Sequence, residues 1–395
     1  MLGVGFALGF FFLSPRQSPE LLFGCRIEND SQGATMSQSC VSLTVQKLLK
    51  TVSAKQLMEY ITAPTTPGVV TTNCHGIAHM IGTSEYRSSR SVERALEKCT
   101  PACAGGCLHG VVETAIEDEF GDSVEAEEAA HDPLVLIRSG KKYCTVAELC
   151  HGVGHIIFKT FGTYEQALST CASISEDMNS ERCYEGVFME SLGDESSFGF
   201  PRAPVVDAQH AQDYSYPCNS VPTPYRLACF RYLPVFQDAL FHDNQISNVE
   251  QKVTIQKGVC NSFGAEERLK CIFGMAGSVS ARIYNRDLDA VMPFCNKYFS
   301  DTADVSACAA GIAMNWTQFG EDGRAMNFCA GLDEPHEQNS CYNIAFELIL
   351  RRVETIERVC GGSNEFALCE RARLKYIEHP EVGQVAERAL LGKPI

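Results

Sequence analysis

Basic residues are scarce in this sequence relative to acidic ones. Lysine and arginine together number 33, whereas aspartate and glutamate number 49, and the formal net charge is −16 at pH 7. No stretch of the 395 residues concentrates lysine or arginine enough to reverse this balance. Because an acidic chain is repelled by a phosphate backbone, we expect no binding to nucleic acid.

Beyond its first residues the chain also lacks an apolar run long enough to span a membrane, which takes about 20 residues. The start, MLGVGFALGFFFL, is apolar and uncharged, and the polar SPRQSPE follows it. This arrangement is typical of the apolar region of a signal peptide, although the basic residues that normally precede that region are missing. We interpret residues 1–24 as a signal peptide or an N-terminal membrane anchor.

Cysteine, in contrast, is abundant, with 20 residues in the chain. A high and even number of cysteines is typical of proteins that fold in an oxidising compartment and are held by disulfides. The composition therefore predicts a protein that is secreted or otherwise extracytoplasmic.

Segments in which a cysteine is closely followed by a glycine recur along the chain. CHGIAH begins at Cys74, CLHGVVE at Cys107, CHGVGH at Cys150 and CYEGVFME at Cys183, and more divergent copies follow. The steps between copies, roughly 30 to 45 residues, are typical of two-helix repeats that stack into a solenoid.

Most of these cysteines have a second cysteine shortly upstream, at the end of a helical pattern such as TYEQALSTC. The repeat unit is therefore a first helix, a cysteine, a loop, a cysteine and a second helix, which we call the B helix. A disulfide across so short a loop would contribute roughly 2–3 kcal/mol to the stability of the folded state. The expected pairs are Cys144–Cys150, Cys171–Cys183, Cys218–Cys229, Cys260–Cys271, Cys295–Cys308, Cys329–Cys341 and Cys360–Cys369.

Pairing near the N-terminus is less determined by spacing. Cys107 can pair with Cys99 or Cys103, and Cys40 is the expected partner of Cys74. Buried free thiols are an alternative, whereas zinc fingers are disfavoured because the spacings vary and form no CxxC pairs. We expect an all-α fold, an α/α solenoid of disulfide-stapled two-helix repeats, in which residues 25–200 carry a metal motif and residues 201–395 do not.

The first four B helices share polar residues around the repeat glycine. The first three copies have a histidine before the glycine and a histidine or glutamate three residues after it, and the fourth keeps a glutamate in the first position. These candidate ligands are His75, His79, His109, Glu113, His151, His155 and Glu185. Side chains at i and i+4 lie on one helix face and can bind a single metal ion. Neighbouring B helices, about 8–10 Å apart, could bring the pairs together.

The later copies provide an internal comparison. Their first position holds Arg231, Phe273, Ala310 and Asn343, although the cysteines persist. Because the fold keeps its cysteines and loses the polar pair, we expect the pair to serve a site. Buried hydrogen-bond networks between helices are the alternative role for these residues.

Seven candidate ligands exceed the four of a tetrahedral zinc, which predicts two divalent metal ions in a shared site. The mixed imidazole and carboxylate set favours iron, with zinc or manganese as alternatives. Glu190 and Tyr184 are expected close to the metals, where they would orient ligands or transfer protons as catalytic groups.

These features predict an extracytoplasmic metalloprotein, in the first place a dinuclear metalloenzyme that activates oxygen or water at a bound substrate. A metal-dependent hydrolase of the same architecture is one alternative. The other is a non-catalytic solenoid that binds a protein partner and holds a structural metal.

Overall fold

The structure is a computed structural model that describes residues 22, 24–27, 35–63, 66, 70, 73–100, 102–120, 133–145, 147–174, 178–192, 210–283, 287–319 and 321–350. Apart from a pair of two-residue antiparallel strands, β1 (Arg26–Ile27) and β2 (Thr35–Met36), its regular structure is helical. The prediction of an all-α fold is confirmed for this part of the chain.

The α-helices number seventeen within the described ranges, and a π-helical turn, Val279–Ile283, follows α12. In chain order they are α1 (Gln38–Leu48), α2 (Ala54–Ile61), α3 (Cys74–Ser89), α4 (Val92–Leu96), α5 (Gly106–Phe120), α6 (Pro133–Tyr143), α7 (Ala147–Phe161), α8 (Tyr164–Ile174), α9 (Met178–Leu192), α10 (Thr223–Asp243), α11 (Val249–Asn261), α12 (Ala265–Ser278), α13 (Leu288–Val291), α14 (Phe294–Tyr298), α15 (Thr302–Gln318), α16 (Asp322–Ala330) and α17 (Pro335–Leu350).

The B helices are α3, α5, α7, α9, α10, α12, α15 and α17, and each one packs against the next along the chain. Shorter helices cover their other side: α8 contacts α7 and α9, and α16 contacts α15 and α17. A continuous apolar core, which extends from Tyr86 to Phe346, lies between these helices. This packing of neighbours is what stacked helical hairpins require, and the solenoid arrangement of the whole chain stays a prediction.

Nine disulfides connect the cysteines of the described residues, and none of those cysteines is free. The predicted pairs within this range are confirmed: Cys144–Cys150, Cys171–Cys183, Cys218–Cys229, Cys260–Cys271, Cys295–Cys308 and Cys329–Cys341. The predicted pair of Cys360 and Cys369 lies outside the described residues. So many disulfides indicate an oxidising, extracytoplasmic environment.

The predicted pair Cys40–Cys74 is wrong. Cys40 is joined to Cys25, because the antiparallel pairing of β1 with β2 folds the chain back beside the start of α1. Cys74, at the start of α3, is joined to Cys103 in the turn that precedes α5. Cys107 is joined to Cys99, which is one of the two partners, Cys99 and Cys103, that the spacing allows for it.

The repeat glycines let neighbouring B helices approach at backbone distance. A Cβ added at Gly186 would lie 2.0 Å from the carbonyl oxygen of His151, and one added at Gly311 would lie 2.1 Å from that of Phe273. Such a distance is far below van der Waals contact, so the glycine is required by packing. The same close approach recurs from repeat to repeat and sets the spacing of the inner helix faces.

Replacing Gly311 with alanine is expected to destabilise the protein by about 1–3 kcal/mol, because the added methyl group forces α12 and α15 apart. Gly258, in the last turn of α11, has no atom within 4 Å of an added Cβ and is the matched control. Gly258→Ala should stabilise α11 by about 0.5–1 kcal/mol. Denaturant unfolding of both variants measures the difference. Equal midpoints for the two variants would contradict the proposed role of the repeat glycine.

The predicted segment 1–24 lies almost entirely outside the described residues. Among the helices that the structure describes, none combines the length and the apolar character that crossing a membrane requires. The boundary expected at residue 200 also falls outside the described ranges, between residues 192 and 210.

Candidate metal centre

Three B helices bring four histidines together. His75 and His79 lie on α3, His109 on α5 and His155 on α7. One nitrogen from each imidazole lies within 4.8 Å of the chosen nitrogen of every other. The i, i+4 pair on α3 therefore converges with residues from two other repeats, as its spacing predicts.

A tight turn before α5 shapes one wall of this cluster. Cys103, Ala104 and Gly105 have φ values of 55°, 54° and 76°, so the chain reverses within three residues. The turn places the Cys103 carbonyl oxygen 2.7 Å from Nδ1 of His75. A Cβ on Gly105 would lie 2.9 Å from Nε2 of His109, so the glycine both accepts the left-handed backbone and leaves room for that imidazole.

Hydrogen bonds assign the tautomers of two of the histidines. Since carbonyl and carboxylate oxygens only accept, Nδ1–H of His75 donates to Cys103 O, and Nδ1–H of His155 donates to Oε2 of Glu190 at 2.8 Å. The Nε2 atom of each ring then carries a lone pair. Nε2 of His75 lies 3.0 Å from Nε2 of His79, close to the separation of two nitrogens bound to one ion.

Two nitrogens of the cluster have no hydrogen-bond partner within the part of the chain that the structure describes. They are Nδ1 of His109 and Nε2 of His155, and both are buried. A buried polar atom without a partner is costly, and a network built only for hydrogen bonding would satisfy it. These atoms therefore favour a cation as the missing partner over the alternative of a helix-to-helix hydrogen-bond network.

Three of the four imidazoles are held in their neutral form. Burial, together with the charge that neighbouring imidazoles would carry, lowers the pKa of His75 to about 3. The same two causes lower the pKa of His79 and His109 well below the ordinary value of 6.5. Neutral imidazole is the metal-binding form, so at pH 7 these rings bind a cation without first losing a proton.

These pKa shifts predict how the stability of metal-free protein depends on pH. A histidine whose folded pKa lies below its unfolded value contributes stability above pH 6.5, and that stability is lost as the pH falls toward about 3. For His75 alone, the free energy of unfolding should fall by about 2 kcal/mol between pH 7.5 and pH 5. Urea unfolding at pH 7.5 and 5.0 measures it, and H75Q should show a smaller dependence. Stability that is unchanged or greater at pH 5 would contradict the neutral buried cluster.

Glu113, predicted as a ligand, lies behind His79. Its Oε1 is 3.4 Å from Nδ1 of His79 but makes no hydrogen bond within the described ranges, and its Oε2 accepts a hydrogen bond from Nζ of Lys159. A carboxylate beside the outer nitrogen of an imidazole is typical of histidines whose other nitrogen faces a metal. The structure therefore places Glu113 as a partner of a candidate ligand.

His151, also predicted as a ligand, touches the cluster without joining the group of four. Its ring stacks on His109 with the centroids 4.8 Å apart, but its Nε2 lies 3.1 Å from the sulfur of Met189. Burial and His109 lower the pKa of His151 well below its usual value. His151 is thus a neutral side chain that lines one side of the site.

Glu185, the seventh predicted ligand, lies in a separate cluster of cations. Its Oε2 accepts hydrogen bonds of 2.5 Å from both Arg182 and Arg231, and Nζ of Lys270 lies 3.6 Å from its Oε1. Burial alone would raise the pKa of this carboxyl, but Arg231, Arg182 and Lys270 hold it well below its usual value. The structure does not bring Glu185 to the four histidines.

The two groups predicted as catalytic have different surroundings. Glu190 contacts the cluster directly, through its hydrogen bond with Nδ1 of His155. Tyr184 packs edge to face against Tyr225, with the ring centroids 4.8 Å apart, and burial raises its pKa. Its position on α9 turns it toward α10, where it does not contact the imidazoles.

The sequence interpretation missed Lys159 and Arg231, although each had a signal. Lys159 follows His155 by four residues and so continues the line of His151 and His155 along one face of α7. Arg231 occupies the repeat position that holds histidine or Glu185 in earlier copies. The repeat comparison predicts loss of the motif at this position, whereas Arg231 pairs with the glutamate of the preceding copy.

No protein-family model, curated protein or solved structure matches the chain. The geometry of the site is accordingly the basis for assigning a function.

Proposed function

We propose that this chain is an extracytoplasmic metal-binding protein, an α/α solenoid whose N-terminal repeats hold one zinc ion. His75, His79, His109 and His155 are the proposed ligands. The observation that carries the proposal is the convergence of four imidazoles, three of them buried, of which two have a nitrogen without a hydrogen-bond partner among the described residues. Nitrogen ligands in this number suit a tetrahedral zinc.

The contacts of the carboxylates support one ion over the two expected from the sequence. Glu113 pairs with Lys159 and Glu185 is surrounded by cations, and neither belongs to the group of donor atoms that converge on one point. The preference for iron depended on a mixed nitrogen and oxygen set. Four imidazoles with Glu113 and Glu190 as outer partners favour zinc instead.

A bound zinc ion would link α3, α5 and α7, which the chain otherwise joins through packing and disulfides. Four protein ligands complete a tetrahedral shell, and a complete shell is typical of a structural site. We therefore favour the non-catalytic form of the protein, in which the metal fixes the inner face of the first repeats. Binding of a protein partner by that face stays a prediction.

A metalloenzyme is the second candidate, and one observation favours it. The four donor atoms spread over as much as 4.8 Å, whereas the edge of a zinc tetrahedron is about 3.3 Å. The side chain of His79 is 14% exposed, the most accessible of the four. If His79 stays off the ion, one position is open to water, and zinc would then supply an activated water molecule.

Cobalt(II) in place of zinc separates the two candidates. A four-nitrogen tetrahedral site gives an intense visible absorption that small anions such as azide do not alter. An open position gives a weaker spectrum that shifts when azide binds. The first result supports the structural site, and the second supports the metalloenzyme.

Glu190→Gln is expected to weaken zinc binding by about 10- to 100-fold, because His155 loses the carboxylate that fixes its tautomer. The control is Glu250→Gln, which removes an exposed carboxylate that pairs with Lys297 far along the chain. Competition titration against a chromophoric zinc chelator measures both variants. Equal zinc affinities for the two would argue against His155 as a ligand.

A further inference from the structure

The end of α15 reaches back to the turn that precedes α5. The backbone N–H of Ala104, in that turn, donates to the carbonyl oxygen of Gln318, the last residue of α15, at 3.0 Å. In the row of B helices α5 is the second and α15 the seventh, and each B helix packs against the next. A contact between the second and seventh repeats therefore requires the row to curve back on itself.

A side-chain contact on α15 shows the same curvature. Met314 lies one helical turn before Gln318, and its sulfur is 3.4 Å from Nη2 of Arg231 on α10. In the row, α12 lies between α10 and α15 and packs against both of them. Side chains of α10 and α15 touch past the intervening helix because the row bends toward its inner face.

Phe319 holds this end of α15 against the N-terminal repeats. It follows Gln318 directly, is half-buried and packs against the apolar cluster that includes Ala102, Cys103 and Cys107. Other apolar residues of α15, such as Trp316, belong instead to the core that extends from Tyr86 to Phe346. Among the described residues, Phe319 is the one hydrophobic side chain beyond Cys107 that packs against the N-terminal cluster.

The turn that Phe319 approaches needs support from outside. Cys103 and Ala104 have φ values of 55° and 54°, a left-handed conformation that residues other than glycine adopt only where their surroundings hold them in it. The disulfide to Cys74 holds one side of the turn, and the hydrogen bond to Gln318 holds the other. That bond also satisfies one of the carbonyl groups that the end of a helix leaves without an intrahelical partner.

The same turn positions two of the four candidate zinc ligands. The carbonyl oxygen of Cys103 accepts from Nδ1–H of His75 at 2.7 Å, and Gly105 leaves room for the ring of His109. Between the end of α15 and these imidazoles lies only this short stretch of backbone. Displacement of α15 would therefore release the turn and, with it, the orientation of both rings.

We propose that Phe319 is a positioning residue of the metal centre. By docking the end of α15 on the turn, the seventh repeat holds His75 and His109 in the geometry that binds zinc. This inference rests on the proposed zinc site, and it assigns the C-terminal repeats, which carry no metal motif, a part in that site. Zinc binding and docking of α15 are then linked, and each favours the other.

Competition titration of the full chain against a chromophoric zinc chelator tests the proposal. Phe319→Ala is expected to bind zinc about tenfold more weakly than wild type, as for loss of other groups that orient metal ligands. Phe263→Ala is the matched control. Phe263 is also half-buried and follows a helix end, but it stacks on Phe230 with the centroids 4.5 Å apart and packs against the other core cluster. Its replacement should leave zinc affinity unchanged.

Two further readouts distinguish positioning from a general loss of stability. Adding Ala104→Gly to Phe319→Ala should recover part of the lost affinity, because glycine adopts a φ of 54° without outside support. With cobalt(II) in place of zinc, Phe319→Ala should absorb less intensely than wild type, since His75 is no longer fixed beside the other nitrogens. Phe263→Ala should keep the wild-type cobalt spectrum.

Phe319→Leu and Phe263→Leu repeat the comparison with a smaller loss of packing, and the first should again bind zinc more weakly than the second. If wild type binds zinc and the Phe319 variants bind it as tightly as the Phe263 variants, this inference alone is overturned. It is also overturned if Ala104→Gly recovers none of the affinity, because the loss then arises away from the turn. Wild-type protein that binds no zinc overturns the proposed function and this inference with it.

Discussion

Simultaneous replacement of His79 and His155 by glutamine is expected to abolish stoichiometric zinc binding. The double variant loses two of the four imidazoles that lie within 4.8 Å of one another, and two nitrogen ligands do not hold zinc against solvent. Its far-ultraviolet circular dichroism should stay close to that of the wild type, because the disulfides and the glycine contacts between B helices are unchanged. Zinc content after dialysis gives the result directly.

Two single variants serve as controls for this experiment. His151→Gln changes a ring that stacks on His109 but directs Nε2 at Met189, and His242→Gln changes an exposed histidine on α10. Both should keep one equivalent of zinc. A double variant that retains its zinc would show that these imidazoles are not the ligands, and loss of zinc in His151→Gln would enlarge the ligand set.

Glu185→Gln is expected to destabilise the protein by about 3–5 kcal/mol, because it breaks a buried ion pair and removes the carboxylate to which Arg231 donates. Arg231 and Lys270 are both almost fully buried, and the variant removes the carboxylate that they share, although Lys270 keeps its contact with Glu181. The pKa of Glu185 is held well below its ordinary value, so at pH 7 the carboxylate is charged and its whole contribution is present.

The control for this prediction is Glu181→Gln, on the same helix. Glu181 lies as far from Lys270 as Glu185 does, 3.6 Å, but its side chain is 38% exposed. Because Glu181 itself is partly solvated, we expect its replacement to cost no more than about 1 kcal/mol. Guanidinium unfolding at pH 7 compares the two variants. Similar midpoints would mean that burial of Glu185 among the cations does not stabilise the protein.

The disulfide framework could be predicted from the sequence because it is local. Each confirmed pair, such as Cys171 with Cys183, joins the end of one helix to the start of the next across a short loop. Cys40 does not follow this pattern. Its partner, Cys25, comes before it in the chain and is brought close by the pairing of β1 with β2. The cysteine spacing does not reveal that strand pairing. Spacing thus identifies partners within a hairpin and fails where a strand pairing intervenes.

The histidines of the site could also be predicted, because i, i+4 spacing fixes the face of a helix whatever its surroundings. The roles of the carboxylates could not. Whether Glu113 faces a metal or supports His79 depends on Lys159, which comes from another repeat. Glu185 likewise pairs with Arg231, which follows it by 46 residues in the chain. Repeat alignment shows which residues share a row, but it does not show which neighbour each one contacts.

Metal content of the full chain, prepared without a polyhistidine tag and measured by inductively coupled plasma mass spectrometry, tests the central claim most directly. The protein is saturated with a mixture of iron, manganese, copper and zinc salts at equal concentration, and loosely bound metal is removed by dialysis. Because copper binds nitrogen sites more tightly than zinc does, a second sample is loaded with zinc alone. We expect one zinc per chain in the zinc-loaded sample and no stoichiometric iron or manganese in the mixture. Two metal ions per chain, or no stoichiometric metal in either sample, would contradict the four-histidine centre.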